Sequence, residues 1–189
     1  MERRSPIWVL TGLSITLLFL PGCEYVKLLR PSVLKQLNPD VVRLLNELPN
    51  VDRPNEDIVG RLFAHGGLSH AEETPDGVMR DHIRIPEGQF IWQPAIIVMP
   101  HPGDLEVEFF NDDGISVHAA IMPSNGDKQY LPLPIHTKGR AKVRLDAPGY
   151  YWFGCPVANH VGRGMLGLIL VRGDVPASAK LDRPAQRRP

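Results

Sequence analysis

The chain has 189 residues, 43% of them hydrophobic, which allows one domain of ordinary size with a single buried core. Its 21 basic residues equal its 21 acidic residues, which excludes a visibly basic nucleic-acid binder and a chain disordered through excess charge. Two cysteines exclude a disulfide-dense scaffold and any four-cysteine zinc or iron–sulfur site within one chain.

Residues 1–22 have the features of an export signal of the lipoprotein type. Arg3 and Arg4 supply the positive start, and the apolar run from Ile7 to Leu20 is shorter than the roughly 20 residues of a membrane span. The run leads into Leu-Pro-Gly before Cys23, which resembles a bacterial lipobox, where the cysteine is lipidated. We therefore expect a mature chain that begins at Cys23, lies in the periplasm and is lipid-anchored to a membrane of the bacterial cell envelope.

Residues 23–77 are predicted to form a short helical N-terminal arm. Apolar residues recur at helical spacing between Val33 and Leu48, and Asn38-Pro39-Asp40 is a good helix start within that segment. A second short helix is predicted from Asn55 to about Ala64, with two glycines after it. We expect this arm to tether the core domain to the membrane or to pack against it.

From Val78 the pattern changes to short apolar or alternating segments of the strand type. The 19 prolines and 17 glycines suit many short strands joined by turns better than a helix bundle. The predicted strands fall within residues 78–85, 95–99, 105–110, 115–122, 141–145, 150–153 and 166–171. The sequence therefore predicts an all-β sandwich over residues 78–172, followed by a flexible tail over residues 173–189.

The segment between the last two predicted strands carries residues that suit a metal site. Cys155, His160 and Met165 follow the spacing C-x4-H-x4-M, and the glycines of this loop allow the three side chains to converge. A second imidazole lies upstream, at His118 in an apolar segment. Two imidazoles, one thiolate and a weak axial thioether are the ligands of a blue-copper electron-transfer site.

Each of these residues taken alone is more often structural. A single cysteine or methionine usually packs in a core, and a histidine in an apolar strand is usually a hydrogen-bonded core residue. Their combination at this spacing favours copper. His101, in Met-Pro-His-Pro, is the alternative to His118 as the second imidazole.

Residues 149–171 are similar to the ligand loop of the cupredoxins, the small blue copper protein family, in particular members of the rusticyanin and azurin type. The resemblance is specific over this loop and around His118, and it implies a Greek-key cupredoxin β-sandwich with one type 1 copper ion. It implies that His118, Cys155, His160 and Met165 are the ligands and that His160 lies at the solvent edge. Many cupredoxins carry a polar residue after the first histidine, whereas this chain has Ala119.

The resemblance also excludes related copper sites. A binuclear centre of the oxidase subunit II type needs a second cysteine in the loop, but Asn159 stands four positions after Cys155. A multicopper oxidase would need several His-x-His pairs, and the sequence has none. One mononuclear site is therefore expected.

The function implied by the resemblance is electron transfer without catalysis of its own. The partner would be a cytochrome c, a terminal oxidase or a quinoprotein dehydrogenase. An apolar collar of Pro156, Val157, Ala158 and Val161 would suit brief docking with such a partner. The resemblance to cupredoxin-like proteins with a helical arm also implies an association with a PQQ-dependent dehydrogenase. Two alternatives stay open: a copper carrier, or a metal-free accessory subunit of such a dehydrogenase complex.

Overall fold

Ten β-strands in two sheets make up most of the part of the chain that this computed structural model describes, residues 62–63, 66–121 and 129–174. All of these residues belong to the second of two units of the chain, Asp40–Pro189. In chain order the strands are β1 Leu68–His70, β2 Glu72–Glu73, β3 Met79–Ile85, β4 Ile96–Met99, β5 Gly103–Asn111, β6 Val117–Ile121, β7 Gln129–Leu133, β8 Lys138–Leu145, β9 Gly149–Gly154 and β10 Leu166–Val171. A 3₁₀-helix, Val161–Arg163, lies between β9 and β10.

The strands form a larger sheet A and a smaller sheet B. Sheet A has six strands in the order β1-β4-β10-β9-β6-β7, and sheet B has four in the order β2-β3-β5-β8. The pairs β1–β4, β4–β10 and β3–β5 are parallel, and the remaining neighbours are antiparallel. Because β6 and β9 are neighbours in sheet A, His118 on β6 lies close to Cys155, which directly follows β9.

Alternating apolar positions of sheet B contribute to the hydrophobic core. The buried apolar residues of β5 and β8 are Leu105, Val107, Phe109, Ala141, Val143 and Leu145. Trp92 contacts Phe109 with ring centroids 5.7 Å apart, and it contacts Phe153 of sheet A at 5.8 Å. Gly167 on β10 leaves room for Phe153, since a Cβ atom there would lie 2.1 Å from Cζ of that ring. The strand that precedes the loop after β9 is therefore packed against the hydrophobic core.

The predicted all-β class is confirmed, and most strands fall where the apolar pattern placed them. The exceptions are β1, β2 and β7, which the sequence analysis did not identify as strands. β1 and β2 are short, and their pairing with β4 and β3 is not visible in a local pattern. β7 contains Pro132, which weakens a strand signal but is tolerated because β7 is an edge strand.

The predicted helical arm differs from the structure over its last part. Residues 68–70 and 72–73 are strands of the two sheets, so the sheets begin before the predicted boundary at residue 78. Leu62 and Phe63 are buried in the hydrophobic core. Residues 23–61 and 64–65 of the arm, the export signal with Cys23, and residues 175–189 of the predicted tail lie outside the described residues. Within the described ranges, no helix is long and apolar enough to cross a membrane.

Candidate metal centre

Cys155 is fully buried and joins β6 to the loop that follows β9. Its Sγ accepts a hydrogen bond from the backbone N–H of His118 at 3.3 Å. Its own N–H donates to the carbonyl oxygen of Met165 at 3.1 Å. The preceding residue is Gly154, where a Cβ atom would lie 2.9 Å from that same carbonyl oxygen. Backbone groups of other residues therefore hold both the sulfur and the N–H of Cys155.

The loop after Cys155 folds back so that His160 lies beside the thiol. Sγ of Cys155 and Nδ1 of His160 are 3.3 Å apart, which is within hydrogen-bond distance. Two consecutive residues with positive φ, Ala158 at 49° and Asn159 at 56°, turn the chain just before His160. The N–H of Met165 donates to the carbonyl oxygen of His160 at 2.9 Å and closes the loop.

His160 is shielded from solvent by neighbouring side chains. His160 is only 7% exposed, although the four residues before it are exposed, namely Pro156, Val157, Ala158 and Asn159. Phe90 packs against the imidazole edge-on, with centroids 5.2 Å apart, and the guanidinium of Arg163 lies 3.8 Å from the Phe90 ring centroid. Burial, followed by the nearby guanidinium of Arg163 and the neighbouring imidazole of His118, lowers the pKa of His160. This favours the neutral imidazole, which is the form that binds metals.

His118 is half-buried on β6 and has an unpartnered ring nitrogen. Its Nδ1 is buried and makes no hydrogen bond in the structure. Its ring stacks on Tyr130 of β7, with centroids 5.1 Å apart and planes inclined by 24°. A buried nitrogen without a partner is costly, and a bound metal ion would supply the missing interaction.

Met165 is fully buried and lies two residues after the end of the 3₁₀-helix. Its backbone forms hydrogen bonds with both His160 and Cys155. Ala119, the departure from the cupredoxin pattern, is fully buried on β6. The connection between the two ligand segments is made by the N–H of His118 on the Cys155 sulfur. The polar residue that the sequence lacks at position 119 is thus not needed for that connection.

The four predicted ligands differ in how closely the structure connects them. The side chains of Cys155 and His160 are in contact, while His118 contacts the sulfur through its backbone and Met165 is linked through its backbone. Among the described residues, no three His, Cys, Asp or Glu side chains form a ready metal cluster. The donor types nevertheless fit a copper ion, since they offer a thiol, a neutral imidazole and an unpartnered imidazole nitrogen.

The alternative ligand His101 does not fit the site. Its Nδ1 lies 2.8 Å from the carbonyl oxygen of Pro102, and its Nε2 lies 3.3 Å from a carboxylate oxygen of Glu73. Both ring nitrogens are therefore engaged on the surface. Phe90, Arg163 and the Tyr130 ring were not predicted to take part in the site, because no local sequence pattern reveals their contacts with the two histidines.

A family model described as PQQ-associated matches residues 36–189. The chain belongs to this PQQ-associated family. No curated protein matches the chain by sequence. The predicted association with PQQ is confirmed at the level of family membership.

Solved structures similar to this PQQ-associated protein include two auracyanins and a cupredoxin. Auracyanin from Roseiflexus castenholzii is 15% identical, with 50% of this chain and 97% of that chain covered and a TM-score of 0.44. Auracyanin A from Chloroflexus aurantiacus, a "blue" copper protein, is 13% identical, with 51% and 100% covered and a TM-score of 0.44. A purple cupredoxin from Nitrosopumilus maritimus is 23% identical, with 48% and 98% covered and a TM-score of 0.35.

The TM-scores of these neighbours are below 0.5, so they carry no argument about the function of this PQQ-associated protein. The case for copper rests instead on the contacts of Cys155, His160 and His118.

Proposed function

We propose that this PQQ-associated protein is a one-electron carrier with a single mononuclear copper site of type 1. The arrangement around Cys155 carries the proposal. Its sulfur lies 3.3 Å from Nδ1 of His160 and 3.3 Å from the N–H of His118, whose own Nδ1 is buried without a partner. No open coordination position is needed, because the cargo of the site is an electron.

His118, Cys155, His160 and Met165 would hold the ion, and the bound copper would supply a one-electron redox couple. Cys155 binds as a thiolate, so metal binding releases its proton. The buried His160 is favoured as the neutral imidazole, so one of its ring nitrogens can bind the ion without first losing a proton. The backbone bonds that join Cys155 to Met165 and Met165 to His160 fix the loop, which limits rearrangement when the electron moves.

The family points to the redox partner. Membership of a PQQ-associated family supports a quinoprotein dehydrogenase as the electron donor. A cytochrome c or a terminal oxidase would then accept the electron. Lipidation at Cys23 would hold the protein on the periplasmic side of a membrane, close to such an enzyme. In this role the protein binds and passes electrons and does not act as an enzyme itself.

A second function is favoured by one observation. In the described part of the chain, no three His, Cys, Asp or Glu side chains form a ready metal cluster. That observation supports a metal-free accessory subunit of the dehydrogenase complex. The two functions differ in whether Cys155 has a metal to bind.

The proposal is tested by mixing the copper-loaded full chain, without oxygen, with a PQQ-dependent dehydrogenase and its alcohol substrate. We expect the bound Cu(II) to be reduced in the wild-type protein, while the Cys155→Ser variant gives no such signal. A chain that takes up copper but accepts no electron would indicate a copper carrier. A chain that binds no copper but is still required for dehydrogenase activity would indicate the accessory subunit.

A further inference from the structure

The His160 imidazole is largely covered by neighbouring side chains in this fold. It is 7% exposed, with Phe90 against its edge and Arg163 over the Phe90 ring. A redox partner that touches the exposed residues of the loop therefore finds little of the imidazole to contact directly.

The other imidazole has an aromatic contact that does reach solvent. Tyr130 is 55% exposed, and its ring stacks on that of His118 at a centroid distance of 5.1 Å. It lies on β7, the edge strand of sheet A, so no further strand covers that edge among the described residues. The stacked pair thus forms a continuous aromatic contact from the protein surface to a predicted copper ligand.

We propose that electrons enter and leave the site through Tyr130 and His118 rather than at the His160 edge. This inference rests on the proposed copper function. In each transfer a one-electron donor loses one electron and Cu(II) becomes Cu(I), with no bond formed or broken and no proton moved. Tyr130 acts as the contact with the partner and keeps its own oxidation state.

The chain offers a matched control position at the His160 edge of the site. Val157, which is 37% exposed, lies in the loop next to His160, so a charge placed there marks the His160 edge. Tyr130→Glu and Val157→Glu add the same charge at the two candidate routes. Tyr130→Gln and Val157→Gln are the neutral references, which separate the effect of charge from the effect of losing the side chain.

The copper-loaded, reduced full chain is oxidised by the anion hexacyanoferrate(III), and the rate constant is measured at low salt. We expect Tyr130→Glu to be slower than Tyr130→Gln by roughly threefold or more, because the added charge repels the anion at its point of contact. Val157→Glu and Val157→Gln should agree within about twofold, and added salt should remove the difference at Tyr130. A larger charge effect at Val157, or an equal one at both positions, would overturn the inference.

A second measurement uses the copper-free protein. Stacking on Tyr130 should shift the ring-proton NMR signals of His118 upfield in the wild type and in Tyr130→Phe, but not in Tyr130→Gln. The same signals in all three proteins would show that the stack is absent and would overturn the inference without copper. If the wild type shows no thiolate–copper band, the proposed function fails and this inference fails with it. If the band is intact and the added charge slows oxidation more at Val157 than at Tyr130, this inference fails while the proposed function stands.

Discussion

The side chain of Met165 should tune the reduction potential. In a site of this type the axial ligand and the apolar surroundings set the potential. We expect Met165→Leu to keep the blue band and to raise the potential, because the thioether no longer stabilises Cu(II). The substitution nearly conserves volume, so the loss of stability should stay below about 1.5 kcal/mol. Voltammetry of the copper-loaded chain that gives an unchanged potential would contradict Met165 as the axial ligand.

The predicted ligands show how much of the site can be identified from the sequence. Cys155, His160 and Met165 share one loop, so their spacing indicates that they form a group. The contacts that shape the site are not visible there, because Phe90 against His160 and Tyr130 against His118 join residues far apart in the chain. Local patterns carry no information about such pairs, so the shielding of His160 could not be predicted.

Asp81 gives the fold a dependence on pH that is independent of the metal. Its side chain is 5% exposed, and it accepts hydrogen bonds from the hydroxyl of Ser69 and the N–H of His82. Burial raises its pKa, although those two hydrogen bonds oppose the shift. The folded state therefore favours the protonated acid, so ionisation costs stability as the pH rises through the folded pKa.

We therefore expect Asp81→Asn to be more stable than the wild type at pH 7. The difference in Tm should shrink as the pH falls and disappear below about 4, where Asp81 is protonated in both the folded and the unfolded chain. Thermal unfolding of the two copper-free proteins, followed as the pH is lowered from 7, measures this difference in Tm. A wild type that is the more stable protein at pH 7 would show that the two hydrogen bonds outweigh the cost of burial.

At the level of elements, the strands that follow a simple pattern were predicted and the others were not. β5 and β8 alternate between buried apolar and outward charged residues, so their two-residue period identifies them. β1 and β2 have three and two residues, and they exist because β4 and β3 offer partners. Short strands of this kind depend on non-local pairing, which the sequence does not display.

The packing of β10 against β9 should be sensitive to the glycine at their contact. A Cβ atom at Gly167 would lie 2.1 Å from the Phe153 ring, which is wedged against Trp92 in the core. We expect Gly167→Ala to lower the free energy of unfolding by about 1–3 kcal/mol through overpacking. Gly114→Ala is the control, since nothing lies within 4 Å of its Cβ position. Equal stability of the two variants in urea would contradict the described packing.

For the molecule as a whole, the metal and the fold should stabilise each other. The four predicted ligands belong to β6 and to the loop between β9 and β10, so the ion would join two segments of sheet A. A ligand that binds only the folded state stabilises it by mass action, by about 4 kcal/mol at a thousandfold excess over its Kd. We expect copper to raise the Tm of the wild-type full chain and not that of Cys155→Ser. The same rise in both proteins would place copper elsewhere.

The copper site is tested by the visible absorption spectrum of the full chain after addition of Cu(II), with Cys155→Ser beside it. We expect an intense blue or green thiolate-to-copper band that ascorbate bleaches and that the variant lacks. A wild-type protein that stays colourless, or a band that survives the loss of Cys155, would contradict a copper site built on this sulfur.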